Sequence, residues 1–194
     1  CIHRALEAMN RPMVISDSGD NPTAGGVGDN PFVLERLLAL KCDDALVAGI
    51  ADAPAVEVCF KAGVNRTITV SLGASLDTVH GTPVTIQAKI KSLHHSTSKI
   101  RAAANSENRI AVIAASLKPT GPSVDVIVTQ QRTPFHRRVD FTELNLEPTS
   151  YAILVVKMGY LVPEIASLAS ESLLALSPGA VKQEIQFTKP GVRR

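Results

Sequence analysis

Hydrophobic and polar positions in the first third of the chain alternate between two periods. Apolar residues at helical spacing predict helices over residues 2–9, 31–41 and 54–62. Short continuous apolar runs at 13–16 and 45–50 instead predict strands that are covered on both faces. Residues that favour helix starts and ends support these bounds: Asn30 with Pro31, Asp52 or Ala53 with Pro54, and Gly63. The pattern therefore predicts helices and buried strands in alternation.

The middle of the chain has the patterns of exposed and half-exposed strands. Residues 84–90 alternate with period two, and residues 66–72 are rich in β-branched side chains. Three further apolar segments, at 100–104, 110–115 and 124–128, continue the series between turn-forming residues. Because one face of such strands meets water, we expect this β-rich middle section to be antiparallel.

The last third returns to a mixed pattern. Residues 141–146 are expected to form a short helix or turn, and residues 152–156 form the clearest buried strand of the sequence. A helix that begins after Gly159 and a final strand at 172–176 follow, and the apolar face of that helix would be Leu161, Ile165, Leu168 and Ala169. The predicted fold class is α/β, a mixed sheet with flanking helices and a β-rich antiparallel middle section. We expect one domain over residues 1–194, with two small domains as the alternative.

Composition narrows the classes of function. The 194 residues are 45% hydrophobic and carry 20 basic against 18 acidic side chains, a formal charge of +2. Without a long basic cluster, no nucleic-acid partner is expected. Because no apolar run could span a bilayer and no signal-peptide pattern occurs, we expect no membrane association and a cytoplasmic location. Cys1, Cys42 and Cys59 are expected to be reduced thiols, with the last two in the core or on a helix face.

The candidate chemistry centres on residues 17–30, between the first predicted strand and the second helix. Gly25, Gly26 and Gly28 let the backbone approach a ligand closely, but the sequence matches neither a Walker A loop nor G-x-G-x-x-G. The loop holds three aspartates and no basic residue, which argues against binding a bare phosphate. Its groups suit an amine, an amide or a metal-bound water. The alternative is a tight turn whose Asp and Asn side chains cap their own backbone.

Outside this loop the sequence offers isolated candidates. Lys157 follows the strand at 152–156, where an ammonium can bind a carboxylate, although a lysine that reaches from the sheet to solvent is the commoner case. The five histidines form no metal-binding pattern, and His94 and His95 would point to opposite faces of a strand. We therefore expect no catalytic residue and no set of metal ligands within these residues.

A series of motifs spreads along the chain in a fixed order. The motifs are Asp20-Asn21-Pro22, Gly25-Gly26, Gly28-Asp29, Asp52-Ala53-Pro54, His80-Gly81-Thr82-Pro83, Gln130-Gln131-Arg132-Thr133, Lys157 and Ser177-Pro178-Gly179. Together they resemble the C-terminal domain of the microcystinase C (MlrC-like) family of metallopeptidase-like proteins, over nearly the whole chain. Three places depart from the family pattern: Thr23-Ala24 where glycine is usual, Val27 in place of proline, and Met158 to Leu161 where many relatives have a serine and a histidine-containing stretch.

The resemblance implies that this chain is the half of a zinc-dependent amide hydrolase that completes the substrate cleft and is inactive alone. Zinc is expected only in an N-terminal metal-binding domain, which precedes this region in the family and is missing here, and none is expected to be held by this chain alone. The implied substrate is peptide-like or a small amide. The residues that would bind it are Asp20, Asn21, Gly25, Gly26, Gly28, Asp29, Arg132 and Lys157.

Two other functions stay open at this stage. A non-catalytic module for a small molecule or a protein partner would bind its ligand without any further domain. A complete enzyme that uses the glycine loop for a phosphorylated ligand is the third alternative, and the acidic loop argues against it. Homo-oligomer formation also stays open, because the strands between residues 84 and 128 could supply an edge for pairing.

Overall fold

The computed structural model describes residues 1–96 and 108–181. Within them eight strands form one sheet: β1 (Met13–Asp17), β2 (Ala45–Ala51), β3 (Thr67–Leu72), β4 (Val84–Ser96), β5 (Asn108–Ser116), β6 (Val124–Thr129), β7 (Ile153–Val156) and β8 (Glu171–Ala175). Their order across the sheet is β3-β4-β5-β6-β2-β7-β1-β8. The predicted α/β class with a mixed sheet is confirmed.

The sheet has a parallel and an antiparallel half. Strands β6, β2, β7, β1 and β8 run parallel, whereas β3, β4, β5 and β6 pair antiparallel. The five parallel strands therefore finish at one end of the sheet, which we call the carboxyl edge, and begin at the opposite amino edge. Open parallel sheets usually place their functional groups at the carboxyl edge.

Helices cover both faces of the parallel half. The helices are α1 (Ile2–Glu7), α2 (Phe32–Ala39), α3 (Ala53–Ala62), α4 (Val139–Thr142) and α5 (Pro163–Ala166), with a 3₁₀ turn at Pro148–Ser150. Leu34 and Leu37 of α2 and Val56 of α3 join one apolar core with the strands, while Phe141 of α4 and Ile165 of α5 join the core of the opposite face. The β1, β2 and β7 strands are buried along their whole length, as their continuous apolar runs predict.

The start of α3 shows why the local predictions succeed. The Asp52 side chain accepts a hydrogen bond from the Ala55 backbone N–H at 2.9 Å, Pro54 lies in the first turn, and Gly63 ends the helix at a φ of +86°. Each residue meets a local demand of the backbone at the helix ends, so the bounds of α3 could be predicted from nearby sequence.

Three predictions are corrected by the structure. Strand β4 extends to Ser96, six residues beyond the predicted end, because an irregularity in its pairing with β5 between Ile90 and Ser92 breaks the period-two pattern. The helix after Gly159 is a single turn, Pro163–Ala166, although Leu161, Leu168 and Ala169 still pack on the core. The helix predicted over residues 2–9 ends at Glu7, and two of its predicted apolar positions are exposed, Leu6 at 40% and Met9 at 94%. The predicted strand at 100–104 lies outside the described residues.

The structure also bears on the expectations about the cysteines and about membrane-spanning segments. Cys42 and Cys59 are buried free thiols, as predicted, and Cys1 is an exposed one. Burial raises the pKa of the Cys59 thiol to about 11, so this thiol is not a nucleophile near neutral pH. In the part of the chain that the structure describes, no helix has the length and apolar character needed to cross a membrane.

Candidate functional site at the carboxyl edge

The loop of residues 17–30, here called the site loop, lies at the carboxyl edge between β1 and α2. Segments that follow β6, β7 and β8 end at the same edge because those strands are parallel to β1 and β2. The loop of residues 73–83 joins them, since the Gly73 N–H bonds to Asp52 at 2.7 Å and the Ala74 N–H bonds to the Asp29 carbonyl at 2.8 Å. The fold thus gathers five connecting segments in one place.

Asp20 closes the base of the site loop. One carboxylate oxygen accepts the N–H of Gly28 at 2.8 Å and the other accepts the N–H of Asn30 at 2.7 Å. The side chain is 2% exposed, so these bonds form away from water. Asp20 therefore supplies hydrogen-bond acceptors to two buried backbone N–H groups and fixes the end of the loop where the chain enters α2.

Asn21 shapes the turn that carries the tip of the site loop. Its side-chain oxygen accepts the backbone N–H and the hydroxyl of Thr23, and its carbonyl accepts the N–H of Gly26 at 2.9 Å. Residues 23–25 at the tip are exposed, and Gly25 has a φ of +101°. A well-fixed base thus presents a short exposed tip that contains glycine.

Lys157 lies beneath the site loop and is 5% exposed. Its ammonium is 3.1 Å from a carboxylate oxygen of Asp17, 3.1 Å from one of Asp20, and 2.7 Å from the Asn30 carbonyl. Burial by itself would lower the pKa of this ammonium, but the charges and hydrogen bonds of the two aspartates outweigh burial and raise the pKa above its ordinary value. Lys157 is therefore charged and fully engaged with its own chain.

Asp29 and Asn30 attach the neighbouring segments to the site loop. Asp29 is completely buried, and one oxygen accepts the N–H groups of Leu76 and Asp77 at 2.7 and 3.0 Å. Its other oxygen is buried without a hydrogen-bond partner among the residues that are described. The Asn30 side-chain amide donates to the carbonyl of His80 at 2.9 Å and to that of Pro178 at 3.0 Å. Two neighbouring side chains thus join three segments of the chain.

The segment of residues 176–181 packs directly on the site loop. The Ser177 hydroxyl donates to Asp17 and accepts the N–H of Gly19 at 3.0 Å, while the N–H of Val181 bonds to the Gly19 carbonyl at 2.9 Å. The contact requires glycine, because a Cβ at Gly19 would lie 1.9 Å from the Ser177 carbonyl oxygen. The two backbones therefore approach as closely as glycine permits.

Arg132 is the exposed cation of this edge that the sequence assigned to substrate binding. It follows β6, and one guanidinium nitrogen lies 3.4 Å from the carbonyl of Gly26 in the site loop. With one long bond to the described residues and an exposed side chain, Arg132 has further N–H donors for another group. It differs in this respect from Lys157.

The eight residues predicted to bind substrate come together at the carboxyl edge, but they divide into two groups. The side chains of Asp20, Asn21, Asp29 and Lys157 are buried and bonded within the chain, and Gly26 and Gly28 are buried too, whereas Gly25 and Arg132 are exposed. The alternative for Lys157, a lysine that reaches from the sheet to solvent, is wrong, because the residue is buried. The self-capping turn, weighed as an alternative, describes the contacts of Asp20 and Asn21, and substrate binding stays a prediction for all eight.

Three residues outside the predicted set are central to this edge: Asp17, Asn30 and Ser177. The sequence predicts Asn30 only as the cap of α2; in the structure Pro31 holds the cap position, and the Asn30 side-chain oxygen accepts the N–H of Phe32 at 3.0 Å. Its two other bonds reach residues 50 and 148 positions away in sequence. Long-range partners of this kind leave no local signal, although the motif around Ser177 marked its segment.

The side chains of this edge do not form a metal site by themselves. Among the described residues, no group of three or more His, Cys, Asp and Glu side chains could hold a metal ion. The nearest approach to one, Asp17 with Asp20, already binds the Lys157 ammonium. A buried ammonium between two carboxylates occupies the position that a cation would need.

Comparison with known proteins places this chain in a family. A family model described as the MlrC C-terminus matches residues 15–189, which include all the segments of the carboxyl edge. The chain therefore belongs to the MlrC C-terminus family.

Individual relatives show how much of a longer protein this family unit represents. The chain is 26% identical to Microcystinase C of Sphingomonas sp over 157 residues, which cover 80% of this chain and 30% of that protein. It shares its fold with a candidate metallopeptidase of Mesorhizobium sp. BNC1, solved by crystallography, at a TM-score of 0.75 and 20% identity over 92% of this chain and 35% of the other. The chain thus spans about a third of the length of either relative.

Proposed function

We propose that this chain is the substrate-facing C-terminal part of a zinc-dependent, metallopeptidase-like amide hydrolase whose metal is held by residues outside this chain. The substrate is peptide-like or a small amide, and the chain alone does not hydrolyse it. We further propose a cytoplasmic location, which the three free cysteines support. The names of the two relatives, a microcystinase and a candidate metallopeptidase, support the class of reaction.

The convergence of the predicted residues at one edge carries this proposal. The site loop has a rigid base, in which Asp20 and Lys157 are buried, and an exposed tip at residues 23–25 beside the Arg132 guanidinium. A guanidinium is a donor that suits carboxylates and amide carbonyls. Because the base is fixed by internal bonds, the tip can orient a substrate without being ordered by it.

Arg132→Ala in the whole natural polypeptide, supplied with zinc, tests the proposal. Loss of a charged hydrogen bond to the substrate should raise KM for a linear peptide by about tenfold with little change in kcat. Arg11→Ala is the matched control, because Arg11 is also exposed but forms its ion pair with Asp44 at the amino edge. Hydrolysis that is unchanged in both Arg132→Ala and Asn21→Ala would remove the site loop from substrate binding. Hydrolysis by residues 1–194 alone would contradict the accessory role.

A second candidate function is a non-catalytic small-molecule module, and one observation favours it. Two concavities of about 430 and 390 Å³ lie side by side and share Lys91 and Tyr151. Asp125 lines the smaller concavity and, although part of an apolar strand, accepts hydrogen bonds from both Lys91 and Tyr151. Equilibrium binding of a small polar compound that Tyr151→Phe abolishes, with no effect of Arg132→Ala, would favour this function.

A further inference from the structure

The exposed apolar side chains of this chain concentrate at the carboxyl edge. Five large apolar residues among those described are at least 60% exposed, and four of them belong to segments of this edge: Leu76 at 71%, Val79 at 84%, Tyr160 at 80% and Leu176 at 60%. The fifth, Met9 at 94%, precedes β1 at the amino edge. Scattered apolar residues are normal on a protein surface, whereas a concentration around a candidate site indicates an interaction surface.

Hydrogen bonds of the site loop hold three of these residues near one another. Leu76 is attached through its own N–H to Asp29, and Val79 precedes His80, whose carbonyl accepts from the Asn30 amide. The same amide binds the carbonyl of Pro178, two residues after Leu176. A single side chain therefore bridges the segments that carry Val79 and Leu176. Tyr160 lies at the same edge, two residues after Met158, whose carbonyl accepts from Ser16 at 2.7 Å.

The Lys157 network and the Asn30 amide, which lie beneath this surface, already have partners, whereas one buried oxygen of Asp29 has none among the described residues. Asp17, Asp20 and Lys157 bond to one another or to the backbone, and Asn30 uses both ends of its amide. A partner that covered these apolar residues would bury them without breaking these bonds, so the polar desolvation that opposes docking would be confined to exposed groups such as Arg132. The arrangement is that of a preorganised apolar interface beside the exposed Arg132 guanidinium.

We propose that Leu76, Val79, Tyr160 and Leu176 dock the part of a longer polypeptide that holds the metal; about two thirds of each relative lies outside the region that this chain matches. The choice of this occupant rests on the proposed function. It is supported by the coverage of 30% of one relative and 35% of the other. It is also supported by the position of the apolar residues around the site loop, where such a part must come to share a substrate. Interfaces between domains of one chain bury about 600 to 1,500 Å².

Hydroxyl-radical footprinting of the whole natural polypeptide tests this surface without any substitution. Leu117 is the internal reference, since it is also a leucine, is 50% exposed and lies in the turn between β5 and β6 at the amino edge. If nothing docks, Leu76 at 71% and Leu176 at 60% should oxidise at least as fast as Leu117. If the edge is covered, both should oxidise about fivefold more slowly than Leu117, as expected for the core of an interface.

The oligomeric state distinguishes docking within one polypeptide from coverage of the edge by a second copy. Slow oxidation of Leu76 and Leu176 in a monomer, independent of protein concentration, supports docking within one polypeptide. Oxidation as fast as that of Leu117 overturns the proposal, and so does protection that occurs only in a dimer, because a second copy would then be the occupant. The measurement does not depend on hydrolysis, so a covered edge in an inactive protein would contradict the proposed function and leave the interface standing.

Discussion

The carboxyl and amino edges of the sheet use the same types of charged residue in different ways. At the carboxyl edge Asp17, Asp20 and Lys157 are nearly fully buried and form one network. At the amino edge Arg11 and Asp44 form an ion pair whose side chains are 58% and 43% exposed. Breaking a buried pair leaves an uncompensated charge, whereas an exposed pair is replaced by water. Charged residues at the carboxyl edge therefore fix structure, and those at the amino edge contribute little to it.

Lys157→Met should have the largest effect on stability. The substitution leaves Asp17 and Asp20 buried without their cation, so we expect the free energy of unfolding to fall by about 3 to 5 kcal/mol. Chemical denaturation of both proteins measures the difference. Arg11→Ala, the control at the amino edge, should cost less than about 1 kcal/mol. Equal losses in the two variants would mean that the edges do not differ.

The same variant has a defined dependence on pH. The folded-state pKa of Lys157 is raised above its unfolded value of about 10.4, so its contribution is fully present below that pH and is lost as pH rises through the folded pKa. The difference between wild type and Lys157→Met should therefore be constant from about pH 7 to 9 and shrink only at higher pH. A difference that shrinks between pH 7 and 9 would show that Lys157 is not held as an ammonium.

Gly26→Ala should have the next largest effect. A Cβ at this position would lie 2.8 Å from the Asn21 carbonyl oxygen and from the backbone carbon of Asp20, neither of which can move freely. We expect a loss of about 1 to 3 kcal/mol, the usual cost of overpacking. Gly121→Ala is the matched control, because a Cβ there meets nothing within 4 Å, and it should change stability by less than about 0.5 kcal/mol. Thermal unfolding of the pair gives the comparison.

Asn30→Ala should loosen the carboxyl edge at a smaller total cost. The side chain loses bonds to His80, Pro178 and Phe32, for which we expect about 1 to 2 kcal/mol. Hydrogen exchange should become faster at the amides of residues 76–80. Gln87→Ala removes an amide that bonds to Thr69 on the exposed side of β4, and it should leave the 76–80 amides unchanged. Unchanged hydrogen exchange in Asn30→Ala would show that the Asn30 side chain does not hold residues 76–80 in place.

The sequence predicted the elements that depend on local chemistry. It did not predict the side-chain directions that contacts between distant residues determine. The cap of α3 and the buried strand β7 follow from Asp52, Gly63 and an apolar run, all within a few residues. The inward direction of Asp20 and Lys157 is set by contacts 137 positions apart in sequence, which no local pattern contains. The family motifs nevertheless included both residues, although the motifs do not show that the two side chains contact each other. The clustering of these residues at one edge was thus predictable, whereas the internal bonding of their charged groups was not.

Loss of the exposed ion pair between Arg138 and Glu147 should have the smallest effect on stability. It also tests most directly how buried and exposed charges differ. Hydrogen bonds from Arg138 and Thr149 lower the pKa of the Glu147 carboxyl to about 2. A lowered pKa means that its contribution is present above the unfolded value of about 4.3 and is lost as pH falls towards 2. The side chains of Arg138 and Glu147 are 52% and 40% exposed, so solvent screens the pair and Arg138→Ala should change stability by less than about 0.5 kcal/mol.

An NMR titration of the Glu147 carboxyl should find its midpoint near 2 in wild type and closer to 4.3 in Arg138→Ala. A wild-type midpoint near 4.3 would show that the pair does not form in solution. A loss of several kcal/mol in Arg138→Ala would show instead that an exposed pair can stabilise as much as the buried network of Lys157. A large pKa shift with almost no change in stability is the result that separates the two kinds of charge, because exposure limits what a shifted group contributes to folding.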